Sequence, residues 1–505
     1  MTPDSAPAVD VDAVAAPRVS APGRMPWREP GPLWGLFWRW AAIAVIVGAG
    51  FWRTEVHLVD EVNAGAESTH VFLVLACAVF LALATARKRL PELPIFDRQT
   101  DIIVGIVLAA IAAMLRFFVV PRYPAFFALL HPDIPAAYVL AMAACVFLFG
   151  LRRTAHYWSS WAVLLLASPG VVRLAGYIAG GGDFGFAVVL VPLAAICAGA
   201  GVGTSLKKGV ALAGVSAAVG FSVLGLWAGL LGQEVGPLTQ ALPVLAALAC
   251  AVPALVRLPA ASGRARPRQA VSAREGLKCL PLIVAIAVIV AVADLPQSAQ
   301  GRAAMGPPGP TGRTLAVPDL WKEISQSDLP WAPSMFGPGA TIHEQLLRST
   351  TPRRDWDEKE RPRMVAAYTI SAHKPGIFDV YPVEMTFDTR RSRTSAAEPI
   401  ALPHGVTARF RTVVDDTTYL TWSILSFLWS RSDGTTQRIM LLSIDNHDFD
   451  AVFPRPMPGT LSTAERLASI LLRGNSSVSD EFSERKDVDM LTELGGDIVE
   501  AQWTR

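Results

Sequence analysis

Charge and cysteine are both scarce in this 505-residue chain. Asp, Glu, Lys and Arg make up 17 % of it, against roughly 25 % in soluble proteins, while 52 % is hydrophobic. That balance excludes a wholly soluble enzyme and a disordered chain. The five cysteines are Cys77, Cys145, Cys197, Cys250 and Cys279. None follows Cys279, so neither a disulfide framework nor a Cys-based zinc site can form in the C-terminal part. G-x-S-x-G is missing too, and His343-Glu344 lacks the second histidine of a zinc-protease helix. No basic helix is interleaved with aromatics, so nucleic acid is not an expected partner.

What is abundant is apolar sequence in runs of membrane length. Nine spans are expected, at 33–51, 70–86, 102–120, 135–151, 157–175, 184–204, 209–232, 239–256 and 279–295. Basic residues gather in every second connection, among them Arg87, Lys88, Arg152, Arg153, Lys207, Lys208 and Arg257. The alternate connections hold little beyond Arg53 and Arg122. The positive-inside bias therefore predicts a cytoplasmic N-terminus and an extracytoplasmic C-terminal part. Charge divides the same way: the first 295 residues carry 22 Lys and Arg against 16 Asp and Glu, the last 210 carry 23 against 27.

The expected architecture is a polytopic α-helical membrane bundle of about nine spans, N-in, with an extracytoplasmic α+β domain built on an antiparallel sheet. Its parts are a disordered cytoplasmic tail (1–32), the transmembrane helical domain (33–295), a Pro/Gly linker that holds the outer domain off the membrane (296–318), and that domain itself (319–505). Strand-like runs occur at 364–371, 378–388, 405–414, 418–430 and 436–445, and Asp433-Gly434 marks a hairpin between the last two. Helices are expected at 463–473, after a Ser462-Thr463-Ala464-Glu465 capping motif, and at 486–501. Asp445, His447, Asp448 and Asp450 read as a loop leaving a strand, since their spacing does not fit a calcium loop.

Chemistry is most plausibly sought in the first outer connection, which holds Glu55, His57, Asp60 and Glu61, with His70 at the start of the next span. Carboxylates and imidazoles at a membrane surface can act as general base or hold a divalent cation. Helical spacing puts His57, Asp60 and Glu61 on one face. No cofactor is expected, and the residue pattern leaves a metal undetermined. Arg39, Arg116 and Arg173, near span ends, are read as snorkelling to the membrane surfaces. The glycines from Gly199 to Gly225 are read as helix-packing residues.

Ser68-Thr69-His70-Val71-Phe72-Leu73-Val74, followed by a span and Arg87-Lys88-Arg89-Leu90-Pro91, resembles the early region of the exosortase family. That family commonly shows a Ser-His-Gly-Phe-Leu-like approach to a span and then a basic Leu-Pro loop. Here Thr69 is inserted and Val71 stands where Gly is usual. The resemblance implies a multi-span bundle, in some members fused to an outer domain of this size, with a Cys nucleophile and an Arg and a His on later spans. Cys197, in Ala195-Ile196-Cys197-Ala198-Gly199, is the positional match for the nucleophile. No Arg lies between it and Arg257, however, and no His between His156 and His343. The resemblance therefore implies an envelope assembly, export or sorting component without cysteine-peptidase activity. Its expected partners are the lipid bilayer and, through the outer domain, an envelope protein or polysaccharide. The alternative is a membrane glycosyltransferase using a polyprenyl-phosphate sugar, with Asp60 and Glu61 as base.

Overall fold

The structure, a computed structural model, describes residues 32–65, 68–88, 97–124, 126–231, 236–258, 273–296, 303–308, 314–389, 392–415, 417–456, 465 and 485–504. The expected tail 1–32 falls almost wholly outside these residues, as does the expected helix 463–473. The chain divides into two compact units at Ala42, and Ile43–Arg505 forms the larger.

Helix α1 (Pro32–Gly50) is followed, after a bend of 74°, by α2 (Trp52–Asn63). Then come α3 (Thr69–Arg87), α4 (Arg98–Met114), a π-helical turn (Leu115–Val119), and the one-turn α5 (Phe127–Leu130). The series continues with α6 (Asp133–Phe149), α7 (Leu151–His156), α8 (Trp158–Leu166), α9 (Pro169–Ile178), α10 (Gly182–Val202) and α11 (Leu206–Leu231). It closes with α12 (Pro237–Ala249), α13 (Val252–Arg257) and α14 (Ala273–Val292). Among the described residues five helical stretches are long and apolar enough to cross a membrane, or seven if the bent pairs α1–α2 and α8–α9 each count once. The shorter helices α6 and α14 are apolar as well.

These helices turn large apolar side chains outward: Ile103, Ile106 and Val107 on α4, Leu206, Val210, Leu226 and Leu230 on α11. Exposed apolar surface of that extent suits hydrocarbon rather than water. Inside, α10 and α11 meet through glycine. A Cβ on Gly199 would lie 2.4 Å from the Gly209 carbonyl oxygen, and one on Gly220 2.6 Å from Val191. The packing role holds at those positions, whereas Gly214 and Gly225 face open space.

The C-terminal part is a nine-stranded sheet. Its strands are β1 (Ala304–Met305), β2 (Trp321–Asp328), β3 (Thr341–Ser349), β4 (Met364–Ala372), β5 (Ser392–Thr394), β6 (Glu398–Ala401), β7 (Thr407–Asp415), β8 (Leu420–Ser430) and β9 (Thr436–Ile444). The order is β2-β3-β4-β9-β8-β7-β5, all antiparallel, with β6 on β7 and β1 running parallel to β8. Three short elements complete it: α15 (Ala332–Phe336), α16 (Ile377–Val380) and the C-terminal helix α17 (Val488–Trp503).

Strands β4, β8 and β9 are buried on both faces, which is why apolar residues occur on both sides of them instead of alternating with exposed polar ones. One face carries Val365, Ala367, Leu425, Phe427 and Leu441 against Met490, Leu491, Leu494 and Ile498 of α17. The other carries Tyr368, Ile370, Trp422 and Met440 and packs on α15 and α16. The Asp433-Gly434 hairpin forms as expected, with Gly434 at φ +81°. Two expectations are corrected. Residues 378–388 are not a strand: Pro382 interrupts them, and they form α16 and a 3-10 turn as a layer beneath the sheet. The 296–318 segment is not a free spacer where described, because β1 pairs with β8 and the Leu315 amide donates to Gln345 Oε1 at 2.7 Å.

Far from standing off, the sheet domain shares one apolar core with the end of the bundle. Tyr123, Phe126, Leu129, Leu130 and Tyr177 pack with Phe336, Phe378 and Tyr381. A Cβ on Gly181, at φ +73°, would lie 1.9 Å from the Ser334 carbonyl oxygen, so only glycine permits this approach. Lys374 forms an ion pair with Asp183, whose other oxygen accepts from Gln240 Nε2 at 2.7 Å. The Gly376 amide donates to the Ala64 carbonyl at 3.1 Å. The sheet thereby caps one end of the bundle.

Candidate functional site

Directly under this cap, helix α2 places a carboxylate in the bundle. Its apolar and polar residues alternate with helical period: Thr54, Leu58 and Glu61 are buried, while Trp52, Val56 and Val59 are exposed on the opposite side. The expected outer loop is thus an amphipathic helix. Glu61 and His57, one turn apart, do share a face, with His57 Nε2 3.2 Å from Glu61 Oε1. Asp60 is exposed and does not join them.

Three further elements converge on Glu61. His131 follows α5 in a left-handed conformation, φ 41°, which a non-glycine residue adopts at a cost of roughly 1–2 kcal/mol. That turn sets its Nε2 2.9 Å from Glu61 Oε2 and 3.1 Å from Oε1. Its Nδ1 faces Asp133 Oδ1 at 3.5 Å. Ser68 sits at the N-cap of α3, but its hydroxyl caps no amide of that helix. Instead it donates to Glu61 Oε2 at 2.5 Å and accepts from Arg173 Nη2 at 2.9 Å. Arg173, on α9, also donates to the carbonyls of Ala128 and Leu129.

Ser68 and His131 are fully buried, Arg173 is 1 % exposed and Glu61 6 %. A carboxylate on each side of the imidazole calls for an N–H on both nitrogens, that is, for the charged ring. Burial opposes that charge, but Glu61 and Asp133 outweigh it and raise the His131 pKa to about 9. Burial likewise opposes charge on Glu61. The attraction of His131, hydrogen bonds from His131 and His57, and the field of Arg173 prevail and hold its carboxyl well below the usual range. Glu61 is therefore a carboxylate with its lone pairs engaged, a poor general base in this arrangement.

The other expected site residues lie apart. Glu55 is exposed on α2, beside Gly48. His70 is fully buried in the first turn of α3, stacked on Phe186 with ring centroids 5.4 Å apart. Two arginine expectations are corrected: Arg173 and Arg116 do not snorkel but are drawn inward, 1 % and 3 % exposed, each donating to backbone carbonyl oxygen inside the bundle. Arg116 lies on the π-helical turn and donates to the Ala293 carbonyl at 2.6 Å. His131 and Asp133 were not anticipated. Their signal was a His-Pro-Asp triplet opening a span in a chain with little charge.

Cys197 is buried in the bundle core beside Cys77, away from this cluster. Among the described residues no three His, Cys, Asp or Glu side chains are grouped to hold a metal ion. An antiparallel sheet seated on a bundle of apolar helices defines the class of architecture. Comparison takes the assignment no further: no protein-family model, curated protein or solved structure matches the chain.

Proposed function

We propose that this chain is a nine-span integral membrane protein of cell-envelope assembly, export or sorting, N-terminus in the cytoplasm, with the sheet domain as an extracytoplasmic platform for an envelope protein or polysaccharide. The observation that carries the reading is the joint between the two parts. A shared apolar core, the Gly181–Ser334 approach and the Lys374–Asp183 pair hold the sheet rigidly on the bundle end. Such a platform presents a partner at fixed height and orientation, which a flexibly tethered domain cannot do.

The exosortase-like layout enters this reading without thiol chemistry. Cys197 neighbours the thiol of Cys77 in an apolar core. Glycosyl transfer on a polyprenyl-phosphate sugar is the second reading, and one observation favours it: α2 has the form of a helix that lies in a membrane surface. Glu61 is then a positioning group rather than the base, and the exposed Asp60 is the group left to take a proton.

A deletion strain tests both readings. A variant with all five cysteines replaced by alanine should restore surface proteins and envelope glycan as wild type does, and failure of Cys197→Ala alone to rescue would reinstate a thiol mechanism. Tyr419, 89 % exposed in the β7–β8 turn, supplies the topology test. In the cysteine-free background Tyr419→Cys should react with an impermeant maleimide on intact cells. Labelling only after lysis would refute the N-in arrangement. Asp60→Asn should rescue fully on the first reading and fail to restore the glycan on the second.

A further inference from the structure

The cluster around Glu61 continues toward α4 and α14, and there its polar groups stop finding partners. Asp133 is fully buried, yet neither of its carboxylate oxygens completes a hydrogen bond among the described residues. The same holds for Nε and Nη1 of Arg116, 3 % exposed, and for the hydroxyl of Thr54, 4 % exposed. Arg116 lies within the electrostatic reach of Asp133, Arg53 and Asp294. A buried guanidinium with unmet N–H groups costs several kcal/mol unless something compensates it. In this region the cations Arg53, Arg116, Arg173 and His131 outnumber the carboxylates Glu61, Asp133 and Asp294 by one.

Within that reach, at the surface, Arg53 forms an ion pair with Asp294. The Asp294 side chain is 87 % exposed at the end of α14, and that of Arg53 is 35 % exposed. An exposed pair of this kind is held by about 1 kcal/mol or less, so Asp294 is easily exchanged for another oxyanion. The surroundings are apolar and exposed: Trp52 and Val56 on α2 and Phe118 on the π-helical turn. A group reaching Arg116 by this route does best to carry negative oxygens at its head and hydrocarbon behind.

We propose that Arg116 and Arg53, with Thr54 beside them, form a binding site for the phosphate of a membrane lipid of net negative charge, and that the Asp294 carboxylate holds Arg53 in place of the phosphate when the site is empty. The unmet N–H groups of Arg116 receive phosphate oxygens, and Arg53 exchanges its carboxylate for the same group. Asp133 stays on the far side and keeps His131 charged. The π-turn contributes by turning Arg116 inward at the end of a helix whose exposed residues from Ile103 to Phe118 are apolar.

The experiment uses the full-length protein in neutral-detergent micelles, titrated with phosphatidylglycerol, phosphatidylcholine or soluble glycerol 3-phosphate and followed by native mass spectrometry and thermal unfolding. Phosphatidylglycerol should bind and raise the melting temperature, and the other two should not. Arg116→Gln should weaken that binding about tenfold or more. Asp294→Asn should tighten it several-fold, because it removes the competing carboxylate, an outcome that a purely structural role for the pair does not give. Should Arg116→Gln fail to fold, Arg53→Gln at the surface should still weaken binding several-fold. Equal binding of phosphatidylcholine, or phosphatidylglycerol affinity unchanged in the arginine variants, overturns the site. Glycerol 3-phosphate binding as well as the lipid overturns the lipid as its source.

Discussion

Two buried charge clusters, one in the bundle and one in the sheet domain, use the same residue types to different ends. In the sheet domain Arg363, 2 % exposed, donates to the Trp356 carbonyl at 2.9 Å and to Asp487 at 2.6 Å, and it also meets His447. His447 bonds Asp357 through its other ring nitrogen, and Asp357 accepts from the Lys359 amide at 2.7 Å and from Arg361 Nε at 3.1 Å. Arg363, His447, Asp357 and Asp487 leave no buried polar atom without a partner. In the bundle Glu61 and Ser68 are engaged in the same manner, while among the described residues the Arg116, Asp133 and Thr54 part is left open. A closed network ties strands and loops together. An open one in the same protein has unmet hydrogen bonds to offer, and that difference separates scaffold from site.

The comparison can be broken most forcefully at its arginines. Arg173→Met takes a cation from beside Glu61 and a donor from the Ala128 and Leu129 carbonyls, Arg363→Met takes the donor to Asp487 and to the Trp356 carbonyl, and each should destabilise its region by about 3–5 kcal/mol in denaturant or thermal unfolding. A cost below about 1 kcal/mol for Arg173→Met would mean that the bundle cluster is open throughout, against the contacts described.

Next in size is a difference in pH response. His131, raised to about 9 from an unfolded value near 6.5, adds stability that is fully present below 6.5 and is lost as pH rises through about 9. The loss should amount to about 3 kcal/mol, seen as a falling melting temperature above pH 7 that His131→Asn flattens. Asp357 behaves oppositely. Burial opposes its charge, but hydrogen bonds from Arg361, His447 and the neighbouring backbone hold its carboxyl far below the usual range. Its contribution is therefore present above the unfolded carboxylate pKa and disappears as pH falls, so Asp357→Asn should change the acid limb of the melting profile and leave the alkaline limb alone.

The smallest effects sharpen the boundary of the site. Lys374→Ala leaves Asp183, 3 % exposed, with Gln240 as its remaining partner and should cost about 1–3 kcal/mol. Asp60→Asn, on the exposed side of α2, should change stability by less than about 0.5 kcal/mol. A larger effect at Asp60 than at Lys374 would place the working carboxylate on the outer side of α2.

Where strands and helices were legible, the cause was burial that repeats along the chain. The β8–β9 hairpin announced itself through two apolar runs around Asp433-Gly434, and α17 through its periodic Met490, Leu491, Leu494 and Ile498. Strand β2 escaped because it is an edge: Lys322, Ser325, Gln326, Ser327 and Asp328 are exposed, so neither alternation nor an apolar run marks it. The 378–388 run misled for the converse reason. It is apolar because it fills the layer between sheet and bundle, a surface that does not exist until the two parts meet.

The candidate site divides along the same line. Local spacing was enough to pair His57 with Glu61, since both lie on one helix and a turn of 3.6 residues fixes their separation. Apolar runs of membrane length and the lack of cysteine after Cys279 were likewise properties of the chain alone, because hydrophobicity and thiol content do not depend on what a segment later touches. Ser68, the His131–Asp133 pair, Arg116 and Arg173 come from four different segments, and which of them meet is decided by helix crossing and by the cap that the sheet places over them. So too is the ionisation of Glu61 and His131. A pKa is set by the charges and the solvent that surround a group in space, and those neighbours exist only once the tertiary structure has assembled them.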